Sequence, residues 1–224
     1  MFEHVKVDLG YGDLDSETKT TGRNYVTPDG KRYPSVTTVL SILTEDSIRE
    51  WRARVGEETA NKISHRASTR GTAVHAIIED YINNEPEYAK KYMPNVYDNF
   101  LSVKSVLDDR IGKVYAQECA LYSEHLGVAG RVDCIADFDG KISIIDFKTA
   151  KKPKKAEWIT NYFIQESAYA VMWEERTGMP ITQLVTIVAV DNEQPQIFIE
   201  HRDKWTEQLR DTITEYKRRK LFGH

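Results

Sequence analysis

Cysteine is scarce in this chain: two among 224 residues, Cys119 and Cys134. Two cannot supply a four-cysteine zinc or iron–sulfur site, so no iron–sulfur cluster is expected. Both fall in runs of strand type and read as small buried residues of a reducing compartment. No apolar run reaches the ~18 residues of a membrane span. The opening Met1-Phe2-Glu3-His4 lacks the basic-then-apolar order of a secretory signal. The expectation is a cytoplasmic protein with no membrane partner, from a bacterium or a phage-infected cell. Positive charge is not in excess either, with 31 Lys and Arg against 35 Asp and Glu and a formal net charge of -4. Nucleic acid is therefore not coated by bulk electrostatics, and any polyanion contact must come from local basic patches. No Gly-x-x-x-x-Gly-Lys-Ser/Thr occurs, which leaves out a fused phosphate-loop helicase.

What remains is ordinary for a globular chain: 40% hydrophobic and 29% charged residues, enough for one large domain or one domain with a helical elaboration. Residues 1–24 are polar and without period, so a flexible or loosely packed arm is expected there. A single domain follows over 25–224, mainly helical across 25–112, with the sheet core and C-terminal helix in 113–224. Tyr25 to Tyr33 predicts a hairpin around Pro28-Asp29-Gly30, and Ser35 is placed to cap a short helix ending near Leu43. Apolar spacing predicts a long helical stretch from Ser47 to Ile82, broken near Gly56, and a helix after Pro94 carrying Val96, Phe100, Val103 and Leu107. Strands are expected at 113–123, 128–136 and 142–147, a helix at 156–177, strands near 184–190 and 196–200, and a last helix capped by Asp203. This order predicts an α/β fold, a central mixed β-sheet flanked by helices.

The chemistry concentrates in the three-stranded meander. Asp137-Phe138-Asp139-Gly140 turns Val128–Ala136 back onto Ile142–Phe147, bringing Asp133 beside Asp146 and Lys148. Alternation puts Ile142, Ile144, Asp146 and Lys148 on one face. Two carboxylates and a lysine at one end of a ribbon suit phosphodiester hydrolysis, because acids can hold a divalent ion while an ammonium offsets developing charge. The bland alternative is a solvated strand end. Glu118 sits inside an otherwise apolar strand, which is costly unless it is paired or metal-bound. His75, beside the apolar stripe of the long helix, is either a satisfied core histidine or a ligand; Gly71 one turn earlier suggests a close approach of that helix to the meander. Gln165 and Tyr169 share a helix face, either as plain surface or as a substrate contact. Five lysines lie within Lys148–Lys155, and Trp158, Tyr162 and Phe163 follow as aromatic candidates for base stacking. The cations Lys217 to Lys220 close the last helix, where they suit the macrodipole.

Gly71-Thr72-x-x-His75, Gly130-Arg131-x-Asp133, Asp146-Phe147-Lys148-Thr149 and Gln165-x-x-x-Tyr169, in this order, resemble the RecB-type branch of the PD-(D/E)XK nuclease superfamily. Within it the chain looks most like the mitochondrial genome maintenance exonucleases and their phage relatives, across about Tyr33 to Tyr169. The resemblance implies a restriction-endonuclease-like core with an N-terminal helical elaboration that forms a passage for a single strand. It also implies Mg²⁺ or Mn²⁺ on His75, Asp133, Asp146 and the Phe147 carbonyl, with Glu118 as a less certain ligand, and Lys148 orienting the attacking water. Gln165, Tyr169, Arg70, Lys151, Lys152 and Lys154 become the expected DNA contacts. The leading expectation is a metal-dependent DNA exonuclease on single strands or frayed ends, serving replication, repair or recombination with partner proteins the sequence does not name. A flap or junction endonuclease and a non-catalytic nucleic-acid-binding module stand beside it, and nothing visible reads a 2′-hydroxyl to decide against RNA.

Overall fold

The computed structural model describes residues 1–223. A small antiparallel sheet of β1 (Ser16–Lys19), β2 (Gly22–Val26) and β3 (Arg32–Pro34) comes first, with the expected hairpin between its last two strands. Helix α1 (Val36–Leu40) follows, capped as anticipated by Ser35, whose Oγ accepts the Thr38 N–H at 3.1 Å. Next come α2 (Glu45–Val55), α3 (Glu57–Ile82) and α4 (Pro94–Arg110). The break between α2 and α3 is Gly56, at a φ of 84° that favours glycine. Strands β4 (Ile111–Ser123), β5 (Val128–Phe138) and β6 (Lys141–Ala150) form the meander; α5 (Thr160–Thr177), β7 (Gln183–Val190), β8 (Gln196–His201) and α6 (Thr206–Phe222) complete the chain.

The main sheet has the order β4-β5-β6-β7-β8, antiparallel except for the β6–β7 pair, which α5 joins as a parallel crossover. A mixed sheet flanked by helices is thus present. Alternation along β6 sends Ile144 into one core with Phe163, Ala168 and Trp173 of α5 and Leu209 of α6. It sends Ile145 and Phe147 into the other, with Ile77 and Ile78 of α3 and Phe100 and Leu107 of α4. The two layers clamp β6 between α5 and α3, the two helices that carry the remaining site residues.

The N-terminal residues are not a loose arm. Val5 N–H bonds the Val114 carbonyl and Val114 N–H bonds the Glu3 carbonyl, both at 2.8 Å. Tyr11 Oη donates to the Ala120 carbonyl at 3.1 Å, Phe2 packs edge-on to Tyr81, and Leu14 is buried. The physical reason is the open edge of β4, whose backbone the strap meets at Val114 and Ala120. The Asp203 cap is also corrected. Residues 202–204 form a 3₁₀ turn, α6 starts after Trp205 with no side-chain cap, and the Asp203 carboxylate binds Arg202. At the end of α6, Lys217 donates to the Leu126 carbonyl, and Arg218 and Arg219 bind Glu215.

Phe100 fixes α4 against α3. It is fully buried, with ring centroids 5.0 Å from Tyr81 and 5.3 Å from Tyr88. Phe100→Ala should lower unfolding free energy by about 3–5 kcal/mol in urea titrations. A loss below about 1 kcal/mol would mean that α4 does not hold α3 in place.

Candidate active site at the fork of β5 and β6

The β5–β6 ladder runs in register from Phe138/Lys141 to Cys134/Ile145 and stops there. Beyond it, Asp133 Oδ2 accepts the Phe147 N–H at 2.9 Å, so a carboxylate takes the place of the next backbone acceptor. The strands fork at that point, and the opening exposes the upper ends of both to α3 and α5.

From α3 comes His75, with Nδ1 3.5 Å from Asp133 Oδ2. From β4 comes Glu118, which the flanking pairs Gln117/Cys134 and Cys119/Val132 set opposite Asp133. Glu118 holds a φ of 42°, in the left-handed region that is rare for a side chain of this type, a conformation that costs about 1–3 kcal/mol and persists when its surroundings enforce it. Arg131 supplies that constraint by donating from its guanidinium to the Glu118 carbonyl while pairing with Asp13. Donor atoms of His75, Glu118 and Asp133 all lie within 4.8 Å of one another. Two carboxylate oxygens and one imidazole nitrogen, half-buried, make a mixed O/N donor set of the kind that can hold a divalent metal ion.

Asp146 does not join this trio. It is 1% exposed, with Oδ1 accepting from Gln165 Nε2 at 3.3 Å and Oδ2 ion-paired with Lys148. The site therefore has two halves, a ligand trio and a carboxylate–ammonium pair, joined where Asp133 holds the Phe147 N–H between Asp146 and Lys148. Burial pushes the Asp146 carboxyl up to about 6, with Lys148 pulling it back and Asp133 adding to the rise. Burial also lowers the Lys148 ammonium, but Asp146 and Asp133 outweigh this and hold it above its ordinary value. Glu118 is pushed up to about 7 by burial, then by Asp133 and Glu79.

The expected strand contacts divide. Gln165 reaches the site, whereas Tyr169 is 3% exposed and faces inward beneath it. A Cβ on Gly130 would stand 2.8 Å from the Tyr169 ring, which explains the glycine, and Gln165 donates to Tyr169 Oη at 3.4 Å. Tyr169 thus supports Gln165 from below and has no face for a strand. Arg70 is committed to Asp191, with Nη1 at 2.8 and 2.6 Å from its two oxygens. Phe163 is core, packed on Trp205 and Phe198. Lys151 and Lys152 are exposed, and Lys154 is half-buried on a loop pinned to β8 by Gln196. Gly71 meets only Thr149 Oγ1, at 3.9 Å from a built Cβ, so no close approach demands glycine there. Sequence reasoning missed three groups. Glu79, one turn beyond His75, faces Glu118 electrostatically. Arg131 braces Glu118, and Glu166, fully buried beside Gln165, takes the Thr186 hydroxyl. A carboxylate next to Gln165 on an apolar helix was the one available signal.

A model of the PD-(D/E)XK nuclease superfamily matches residues 44–222. The chain belongs to that superfamily. Curated relatives include mitochondrial genome maintenance exonuclease 1 of Homo sapiens, 29% identical over 130 residues that cover 54% of this chain and 38% of the relative. The Xenopus tropicalis protein of the same name is 30% identical over 151 residues, covering 63% and 42%. The chain spans about two fifths of the length of these relatives. The match to the PD-(D/E)XK superfamily takes in α3, the meander and α5, hence both halves of the site.

A carboxyl whose folded pKa lies above its unfolded value binds protons more tightly when folded, so stability falls as pH rises between the two values. For Glu118 that window runs from the ordinary carboxylate range to about 7. In metal-free protein, Glu118→Gln should therefore gain stability relative to the parent as pH goes from 5 to 8, read as a rise in the variant's unfolding midpoint minus the parent's. A constant difference across that range would show that Glu118 is not desolvated beside Asp133.

Proposed function

We propose that this chain is a divalent-metal-dependent DNA exonuclease that hydrolyses phosphodiester bonds at single-stranded or frayed ends during DNA replication, repair or recombination. The observation that carries the proposal is the His75–Glu118–Asp133 trio set beside the Asp146–Lys148 pair at one strand fork. His75, Asp133 and Glu118 would hold Mg²⁺ or Mn²⁺, with Asp146 and the Phe147 carbonyl alongside. When bound, the ion supplies Lewis acidity toward phosphate and a lower pKa for water. Lys148 keeps its proton beside two carboxylates, so its role is to orient water and offset charge rather than to accept a proton. Gln165 fixes the Asp146 carboxylate, and Asp133 fixes the β6 backbone, so both halves meet a phosphate already oriented. The names of the curated relatives favour exonuclease action. So do α2 and the first turns of α3, which bury little besides Ala60 and leave an exposed helical pair leading to His75. Arg66 on that stretch is exposed and suited to a phosphate chain, whereas Lys62 is paired with Glu58.

Lys148→Ala and Asp146→Ala should each lower cleavage of end-labelled single strands in Mg²⁺ or Mn²⁺ by at least about a hundredfold. Lys148→Ala should still bind Mn²⁺ in calorimetry. Full cleavage by either variant, with circular dichroism unchanged, would overturn the mechanism. A circular single strand should stay whole under conditions that consume the linear form; nicking of the circle would assign endonuclease action instead.

A further inference from the structure

Trp158 is 61% exposed, whereas Trp173 and Trp205 are buried in the core. An indole left in water is unusual, because aromatic surface of that size is normally removed from solvent. Its position is nevertheless fixed. The 3₁₀ turn Ala156–Trp158 closes on the Trp158 N–H to Lys155 carbonyl bond at 2.9 Å, and the next residue, Ile159, is buried in the core. Lys155 Nζ lies 5.1 Å from the indole centroid. One turn onward, Lys148 Nζ lies 5.0 Å from the centroid of the half-buried Tyr162 ring. Two ammonium–aromatic pairs thus follow one another from solvent to the lysine of the site. On the segment of chain from Lys148 to Lys155, Lys151 and Lys152 are exposed with no carboxylate within 4.0 Å among the described residues, unlike most cations of this acidic chain. The loop that carries them is held to β8 at both the N–H and the carbonyl of Lys154.

We propose that Trp158, backed by Lys155 and flanked by Lys151 and Lys152, is a stacking subsite for one unpaired base of a single DNA strand whose backbone runs on to Lys148. Every base has a π-face, so the contact is tolerant of sequence. In a duplex both faces of each base are covered by neighbours, so the same indole has nothing to stack on. The lysines meet the phosphates on either side, and the ammonium behind the ring strengthens its hold. The chain's net charge of -4 leaves polyanion contact to local cations, which a duplex also meets, so the indole is what distinguishes the two forms. The subsite accordingly selects unpaired strands. It rests on the nuclease reading of the Lys148 site, which it deepens by naming how the substrate is chosen.

The test uses the full chain with Lys148→Ala to prevent cleavage, and a dye-labelled oligothymidylate as probe. Adding Trp158→Ala should weaken binding between about five- and a hundredfold, and Trp158→Phe should recover most of the loss. The probe should quench the tryptophan emission of the parent and quench the Trp158→Phe protein less. An oligomer of abasic residues should bind parent and Trp158→Ala equally, as should a blunt duplex. Unchanged oligothymidylate affinity in Trp158→Ala, or an equal loss on abasic or duplex probes, would overturn the subsite. Cleavage assays on the otherwise native chain separate the two readings. Active protein indifferent to Trp158→Ala refutes the subsite alone, while a base-dependent Trp158 effect on a protein that cleaves nothing in Mg²⁺ or Mn²⁺ refutes the nuclease reading.

Discussion

The hydrogen bond from the Phe147 N–H to Asp133 is the contact on which the site is built. It ends the β5–β6 ladder, holds the backbone between Asp146 and Lys148, and keeps the same carboxylate within reach of His75 and Glu118. Sequence distance is irrelevant to it: one short carboxylate ties β4, β5, β6 and α3 to a common point. Two cores, one under α5 and one under α3, supply the rigidity that such a point requires.

Without an ion, this arrangement is electrostatically expensive. Three carboxylates, Glu118, Asp133 and Asp146, crowd a partly dry space, and burial with mutual repulsion raises Glu118 and Asp146 above their usual range. Glu118 also bears a left-handed backbone held by Arg131. Lys148 offsets part of this charge, through its ion pair with Asp146 and at longer range through Asp133. Strain and uncompensated charge of this kind gather where a ligand supplies what the fold lacks. A divalent cation among the trio would remove the repulsion, bring the carboxylates back to their charged form and release protons.

Much of this was legible in the chain. The period-two meander and its Asp-Gly turn located Asp133, Asp146 and Lys148, because strand alternation and hairpin pairing leave little choice of register. The 3.6-residue stripes located α3 and α4, and Gly56 marked the break between α2 and α3. What failed had physical causes. The N-terminal strap is held by backbone bonds to β4 and a few isolated apolar residues, which leave no periodic trace. The Arg70–Asp191 pair closes over 121 residues of sequence, so no local pattern could show that this guanidinium was already taken. Helix α5 is buried on more than one side. Spacing alone therefore placed Gln165 with Tyr169 and Phe163 with Tyr162, without telling which side chain faces the cleft. The left-handed Glu118 has no sequence signature at all.

The central claim is that the fork is a cation seat organised by Asp133. Calorimetric titration of Mn²⁺ into the parent and into Asp133→Asn tests it most directly, because asparagine still accepts the Phe147 N–H and preserves the fork. Saturable binding by the parent, with proton release, and its loss in a variant of unchanged secondary structure is the predicted result. Equal Mn²⁺ affinity in the two proteins would contradict the account.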